Sequence, residues 1–488
     1  MRILVVRPDA IGDVVLMLPL IATIHTTYPE AEIYTLQQPY TIPLTQYHPH
    51  IHAVIPDWRK MGMAKGFLGF MRYVAHVKSY GFSMVFLPYN DIFYTLLVTQ
   101  ARIPFRIGDR NRVTLSPFLT HSIGQSFRNL MWHETEQSAR LIWAIRPDVP
   151  LQSSMKLVVT PTMIEAADKL MTDFELIPNQ FVIIHPSSGG GNRAWLKEKY
   201  AQLIDLLVAQ GITPVLTGVT PNEIQGLADI RALTTHSPVD LGGKTTLEAL
   251  MGLIHHAAVV IGTDTGPTHI AAALHTPVVS ISPSKFVKPL RWGPWNTHHR
   301  IISHAFECQL RCKPGCKKRD CLIPISPQTV LDAIESLSHL PHVPPATLDR
   351  REWLKTSVHH LVLVSQESSV QVAGQFHRQL QEWGATVTLA TTSYGLRKRL
   401  LAHTSLNKRQ IAVLPMWNVW AILYFLMTRD IGMIHLQTPQ WVLRWVRQLS
   451  ALGQYAPPVI CEHAAGEMQT DRMVGMMYRA FEEGVLTG

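Results

Sequence analysis

Apolar residues in this chain fall into short unbroken runs, separated by longer stretches in which they recur every three or four positions. The runs at 3–7, 32–36 and 84–88 predict buried strands, and the stretches 12–28, 64–80 and 91–100 predict helices. The 64–80 stretch carries basic and aromatic residues. It is read as a plain amphipathic helix rather than as an acceptor-facing or membrane-facing surface. The rhythm resumes with strands at 181–185, 213–216, 259–261 and 277–281 and helices at 197–210 and 245–258. In the last of these, Leu247, Leu250, Met251 and Ile254 share one face. Pro341, Pro344 and Pro345 mark a linker. Beyond it, strands are expected near 361–365, 386–390, 410–414, 432–436 and 458–462. Strand–helix alternation of this kind implies parallel sheets with right-handed crossovers. The fold class is therefore α/β: two such units, 1–155 and 156–340, in a two-lobed arrangement, and an accessory α/β domain, 350–488. In such sheets ligands bind beyond the strand C-termini, which places the expected site in the cleft between the first two domains.

The 488 residues are enough for several cores. No window reaches the ~18 uninterrupted apolar residues of a membrane span; residues 411–427 come nearest and are broken by Pro415 and Asn418. The first residues read as a strand rather than a signal peptide, because Arg7-Pro8-Asp9 ends the apolar run, and a cytoplasmic location is expected. Lys and Arg number 44 against 35 Asp and Glu. That excess suits an anionic partner: a nucleotide, a phosphorylated saccharide or an acidic membrane surface. It is dispersed, and no nucleic-acid-binding signature accompanies it. Four of the five cysteines, Cys308, Cys312, Cys316 and Cys321, have three, three and four residues between them. They could hold a structural metal or form a loop of reduced thiols; no histidine stands among them.

The densest chemistry lies at 260–273. The run ends at Gly262, Thr263-Asp264-Thr265 follows, and Gly266-Pro267 opens an alanine-rich helix. Asp264 or Thr265 can cap that helix, and Pro267 fits its first turn. Its N-terminus offers a seat for a phosphate, with Asp264 and His269 beside it, and Gly266 would allow close approach of a ligand. Three further segments follow strands. In Arg7-Pro8-Asp9-Ala10-Ile11-Gly12-Asp13, Gly12 permits a tight turn, and Asp13 is either a general base or a helix-start acid. In His185-Pro186-Ser187-Ser188-Gly189-Gly190-Gly191-Asn192-Arg193, loop amides and Arg193 could hold a diphosphate, or the loop could be plain surface. In Thr217-Gly218-Val219-Thr220-Pro221-Asn222-Glu223, Glu223 could meet a ribose or serve its own helix.

Together these segments, with Arg291-Trp292-Gly293-Pro294, resemble glycosyltransferase family 9, the lipopolysaccharide heptosyltransferases, in order and approximate spacing over roughly residues 1–340. The resemblance implies a GT-B arrangement of two facing Rossmann-like domains, an N-terminal acceptor domain and a C-terminal nucleotide-sugar donor domain. It implies inverting, metal-independent transfer of a sugar, heptose from ADP-heptose above all, to a lipopolysaccharide core or related lipid-linked saccharide at the inner face of the membrane, with no cofactor required. Asp13 would be the base. Arg193, standing where the family has a lysine, would bind the donor phosphates. Asp264 and the amides of Thr265, Gly266 and Thr268 would hold the sugar and diphosphate, with His269 alongside, and Glu223 would meet the ribose. Gly12, Ser187 and Ser188 complete the loops. Two other functions remain open: a nucleotide-sugar epimerase of the same architecture, or an idle scaffold that recruits another glycosyltransferase. Residues 432–438 and 459–463 resemble strand ends in the N-terminal half of family-4-like glycosyltransferases, and the third domain is expected to bind a partner or acceptor.

Overall fold

The computed structural model describes residues 1–89, 91–109, 115–123, 133–187, 194–282, 289–302 and 322–342, with the backbone alone at 289–290, and the backbone of five strands between 359 and 462. The first sheet contains β1 (Arg2–Val6), β2 (Glu32–Gln37), β3 (Ala53–Pro56), β4 (Met84–Leu87), β5 (Phe105–Asp109) and β6 (His121–Ile123), in the order β3-β2-β1-β4-β5-β6. The second contains β7 (Phe181–His185), β8 (Thr213–Leu216), β9 (Val239–Asp240), β10 (Val259–Gly262), β11 (Val278–Ile281) and β12 (His299–Ile302), in the order β12-β11-β10-β7-β8-β9. Every pairing in both is parallel. Counted from its own first strand, each sheet runs 3-2-1-4-5-6, the doubly wound order whose switch point lies between strands 1 and 4. A separate unit holds β13 (His359–Val364), β14 (Thr386–Thr391), β15 (Ile411–Val413), β16 (Met433–Gln437) and β17 (Val459–Glu462), also parallel, in the order β15-β14-β13-β16-β17.

Helices of the first lobe are α1 (Ile11–Leu16), α2 (Leu18–Thr27), α3 (Gly66–Ser79), α4 (Ile92–Gln100) and α5 (Glu134–Ala139). Those of the second are α6 (Pro161–Asp173), α7 (Lys197–Ala209), α8 (Pro221–Arg231), α9 (Leu247–His256), α10 (Gly266–Ala273), α11 (Pro289–Trp292) and α12 (Pro327–Ser338). The single helix expected over 12–28 is two. Pro19 has no N–H to carry the ladder forward, and the Met17 N–H turns to Val14 O at 3.4 Å. Among the described residues no helix is long and apolar enough to cross a membrane.

Each lobe has its own core. In the second, Val182, Ile184, Ile204, Val259 and Ile261 pack with the fully buried Trp195 and Tyr200. In the first, Leu4, Val6, Tyr73, Val85, Tyr94 and Leu97 do the same. Asp57, buried at the end of β3, accepts hydrogen bonds from Tyr73 of α3 at 3.0 Å and Tyr94 of α4 at 2.6 Å, so a single carboxylate pins both helices to the sheet edge. Helices α6 and α9 meet at Gly252, where a Cβ would run into the Met163 carbonyl oxygen and come within 2.7 Å of Ala167 Cβ.

The two lobes close on a seam of small residues and rings. A Cβ at Gly12 would lie 2.7 Å from the His269 ring, and one at Gly266 would lie 2.8 Å from Ile11. Gly266 therefore lets α1 and α10 touch, a different neighbour from the ligand expected there. Across the seam the His133 ring stacks on Trp295 at 4.5 Å between ring centres. Its Nε2 meets Gly293 O at 2.9 Å, and its Nδ1 accepts from the Thr135 N–H, which places the proton on Nε2. Trp295 in turn donates its indole N–H to Ser153 O at 3.1 Å.

Two outcomes test this packing. Gly252→Ala should lower unfolding stability by about 1–3 kcal/mol in denaturant titration, because backbone rather than a flexible tip stands in the way. Burial lowers the His133 imidazole to about 3, its bond to Gly293 opposing only part of that. The unfolded chain then binds a proton that the folded chain refuses, so the His133 contribution is present above the ordinary histidine value and is lost as pH falls below it toward 3. His133→Gln should therefore lose less stability than the parent between about pH 7 and about pH 5, read as urea midpoints.

Candidate functional site

Arg7 follows β1 into the interior and is 3% exposed. Its Nη2 donates to Asp13 Oδ1 at 2.7 Å and lies 3.4 Å from Glu134 Oε1, while Nε is 3.2 Å from Asp9 Oδ2. Glu134, at the start of α5, also accepts two bonds from Arg291 of the second lobe, Nε at 2.9 Å and Nη2 at 2.7 Å. The result is a buried chain Asp13–Arg7–Glu134–Arg291 that crosses from one lobe to the other. Burial works against the Arg7 charge, and the carboxylates of Asp13, Glu134 and Asp9 more than offset it, so the guanidinium is held above its ordinary value. Asp9 is raised to about 7, first by burial and then by the charge of Asp13, against the pull of Arg7. Asp13 is the more accessible of the two acids. Arg7 fixes its Oδ1, and Oδ2 has no partner among the described residues.

Helix α10, which packs on α1 at Gly12 and Ile11, is entered through the turn after β10. Thr265 is the N-cap residue, and Pro267 lies in the first turn. The Thr265 N–H donates to Thr268 Oγ1 at 3.2 Å, and that hydroxyl donates back to Thr265 O at 2.7 Å. The Thr265 amide expected to hold a donor therefore serves the loop itself, which reduces what this helix start can offer an anion. Asp264 is partly exposed, with Oδ1 bonded to His269 Nε2 at 2.8 Å. His269 is buried, and its Nδ1 has no hydrogen-bond partner, so its proton belongs on Nε2, donated to Asp264. The ring lies under Gly12, so His269 does more than pack beneath its own loop: it orients Asp264 and meets the other lobe.

At the adjacent strand ends, Thr263 donates to Ser187 O at 3.0 Å. Glu223 is the acid of a capping box, its Oε2 accepting from the N–H groups of Val219 and Thr220 at 2.9 Å each. Burial opposes its charge, yet the amides of Thr220 and Val219, with the Ser187 hydroxyl, bring its carboxyl down to about 2. Its other oxygen lies 3.9 Å from His185 Nε2. Both open readings of Glu223 thus survive in one side chain: one oxygen caps α8, and the other faces the strand end. Ser188, Arg193, Cys308, Cys312, Cys316 and Cys321 lie outside the described residues. Among the described residues no group of acids, histidines and cysteines could hold a metal.

The residues that sequence reasoning missed are Arg7, Glu134 and Arg291. Arg7 and Arg291 stand inside segments singled out for other members, but Glu134 has no local mark except the capping box from His133 to Glu136 in which it sits.

Residues 71–321 match the family described as glycosyltransferase family 9 (heptosyltransferase). Lipopolysaccharide heptosyltransferase 3 of Escherichia coli is 26% identical over 297 residues, 59% of this chain and 84% of that one. The glycosyl transferase family 9 structure from Veillonella parvula DSM 2008 superposes with a TM-score of 0.60 at 19% identity, covering 69% of this chain and 97% of the other. The Escherichia coli heptosyltransferase WaaC, solved with ADP-2-deoxy-2-fluoro heptose, gives a TM-score of 0.51 at 18% identity, over 69% of this chain and 99% of its own. These likenesses identify the two facing sheets as the GT-B fold, and with the family match spanning half its length, the chain belongs to glycosyltransferase family 9, the heptosyltransferase family.

Proposed function

We propose that this glycosyltransferase moves heptose from ADP-heptose, with inversion, to a lipopolysaccharide core or related lipid-linked saccharide, with Asp13 as the general base. The observation that carries the base assignment is that Asp13, fixed through one oxygen by Arg7, adjoins Gly12, which rests on His269, the partner of Asp264. The base thus borders the turn that the family resemblance gives to the donor. WaaC binds an ADP-heptose analogue, and the relative from Escherichia coli is a lipopolysaccharide heptosyltransferase, which supports this donor and acceptor class.

In the proposed step the acceptor hydroxyl gives its proton to Asp13 Oδ2, and its oxygen attacks the anomeric carbon from the face opposite the diphosphate. The bond from that carbon to the diphosphate oxygen breaks, the configuration inverts, and the nucleoside diphosphate leaves with the electron pair. When Asp13 takes the proton, Arg7 loses part of its counter-charge but still faces Glu134. The buried cation stays matched through the step, which is the arrangement a preorganised site needs. Asp264 and His269 would hold the donor sugar, Glu223 the ribose, and Arg193 the diphosphate. These residues are sufficient to propose the reaction without a cofactor. The third unit, outside the family match, is proposed to bind a partner or acceptor, and the enzyme to work at the cytoplasmic face of the membrane.

Asp13→Ala should lower transfer by about 10²- to 10⁴-fold while leaving ADP-heptose binding intact. Unchanged turnover would remove Asp13 as the base. A thermal-shift screen of ADP-, GDP-, UDP- and CMP-sugars tests the donor separately, since only a bound ligand raises the midpoint. Glu134→Ala should cost about 3–5 kcal/mol of stability, because it removes a buried acceptor of two Arg291 bonds and one of three carboxylates around Arg7. It should also lower turnover more than donor affinity; an equal fall in both would mean that Glu134 only holds the lobes together.

A further inference from the structure

Helix α3 and the loop before it carry a surface that the transfer reaction does not use. Phe67 is 76% exposed and Leu68 is 72% exposed, at the start of the helix. Met71 is exposed one turn on, and Met61 and Met63 are exposed on the loop. Five large apolar side chains within eleven residues are thus exposed, the densest such run among the described residues. The helix buries Tyr73, Val74 and Val77 on its other face.

The patch is rigid. A Cβ at Gly69 would meet Met63 O at 2.9 Å and Ala64 at 3.0 Å, so the loop is pressed against the first turn of α3. Gly62 and Gly66 take positive φ angles of 75° and 68°, the two reversals that shape the loop. Tyr73, bonded to the buried Asp57, anchors the helix from below.

Charge decides what covers it. Lys60, Lys65, Arg72 and Lys78 are exposed around the apolar tips, and no aspartate or glutamate occurs between residues 58 and 90. A soluble protein partner would require an apolar face with an acidic rim, whereas an anionic bilayer offers both layers at once: headgroups for the cations and acyl chains for the tips. The patch also borders the site, because Lys60 is close enough to Asp9 to act on its charge.

We propose that the exposed face of α3 and the loop 60–65 docks this enzyme on an anionic lipid bilayer, with Met61, Met63, Phe67, Leu68 and Met71 entering the interface and Lys60, Lys65 and Arg72 against the headgroups. The helix expected from sequence to be plainly amphipathic is thereby a surface element with two apolar faces, one in the core and one in the membrane. The proposal extends the reading of a lipid-borne acceptor, and its test needs no substrate.

The test is flotation of the full chain with vesicles of phosphatidylcholine alone or mixed with phosphatidylglycerol, at low and high salt. The chain should float with the mixed vesicles only, and less at high salt. The pair Phe67→Ser and Leu68→Ser, and separately the pair Lys65→Glu and Arg72→Glu, should each reduce floated protein by about tenfold or more while transfer to a water-soluble acceptor is unchanged. Flotation of both double variants at the parent's level would overturn the proposal. So would a parent that binds neither vesicle, or one that forms a dimer which Phe67→Ser and Leu68→Ser dissociate, since the face would then belong to a second copy.

Discussion

The guanidinium of Arg7 is the constraint on which the site depends. It is a fixed charge placed almost wholly out of water, a costly arrangement unless its donors are matched. Asp13 and Glu134 accept from its Nη2, Asp9 adds a negative charge beside Nε without a hydrogen bond, and Arg291 ties Glu134 to the other lobe. Because the carboxylates outnumber the single buried cation beside β1, one of them can change protonation without stranding Arg7. Asp9 is raised to about 7 by burial first and by the charge of Asp13 after it, against the pull of Arg7. The same chain of charges that orients Asp13 also links the lobes, so holding that carboxylate and holding the lobes together are one structural event.

Glycine works at the seam by subtraction. Gly12 and Gly266 allow two helix starts to approach until one lobe's backbone touches the other's side chains. Around this contact the polar groups are used economically: Thr268 closes the α10 turn on itself, and His269 bonds Asp264. Opposite, the neutral ring of His133 replaces what would otherwise be an exposed edge of Trp295 and an unpaired Gly293 carbonyl. A neutral histidine is favoured here because a charged one would have to be desolvated beside Arg291.

The two faces of α3 show how one helix can answer to two environments. Its inward face follows the ordinary logic of a core, reinforced by Asp57. Its outward face breaks that logic with Phe67 and Leu68, and does so among the exposed cations Lys60, Lys65 and Arg72. A periodicity argument sees only that some face is apolar. It cannot tell a helix with one buried face from a helix with two, because both produce frequent apolar residues.

Strand positions were written in the sequence. Runs such as 181–185 and 259–261 are apolar on both sides because both faces of a parallel sheet are covered, and the structure has buried strands there. The motifs at strand ends were legible for the same reason, since glycine, proline and short polar residues are needed where a strand turns into a helix. Short edge strands such as β6 and β9, and the break at Pro19, were not anticipated; local pattern is weakest where pairing with a neighbour defines the element. The partnership of Arg7 with Glu134, 127 positions away, and of Glu134 with Arg291, 157 further on, has no trace in local spacing. Sequence determined which residues stand at the strand ends, through local backbone chemistry. Only the packing of one lobe on the other decided which charges meet, because that depends on distances no single segment contains.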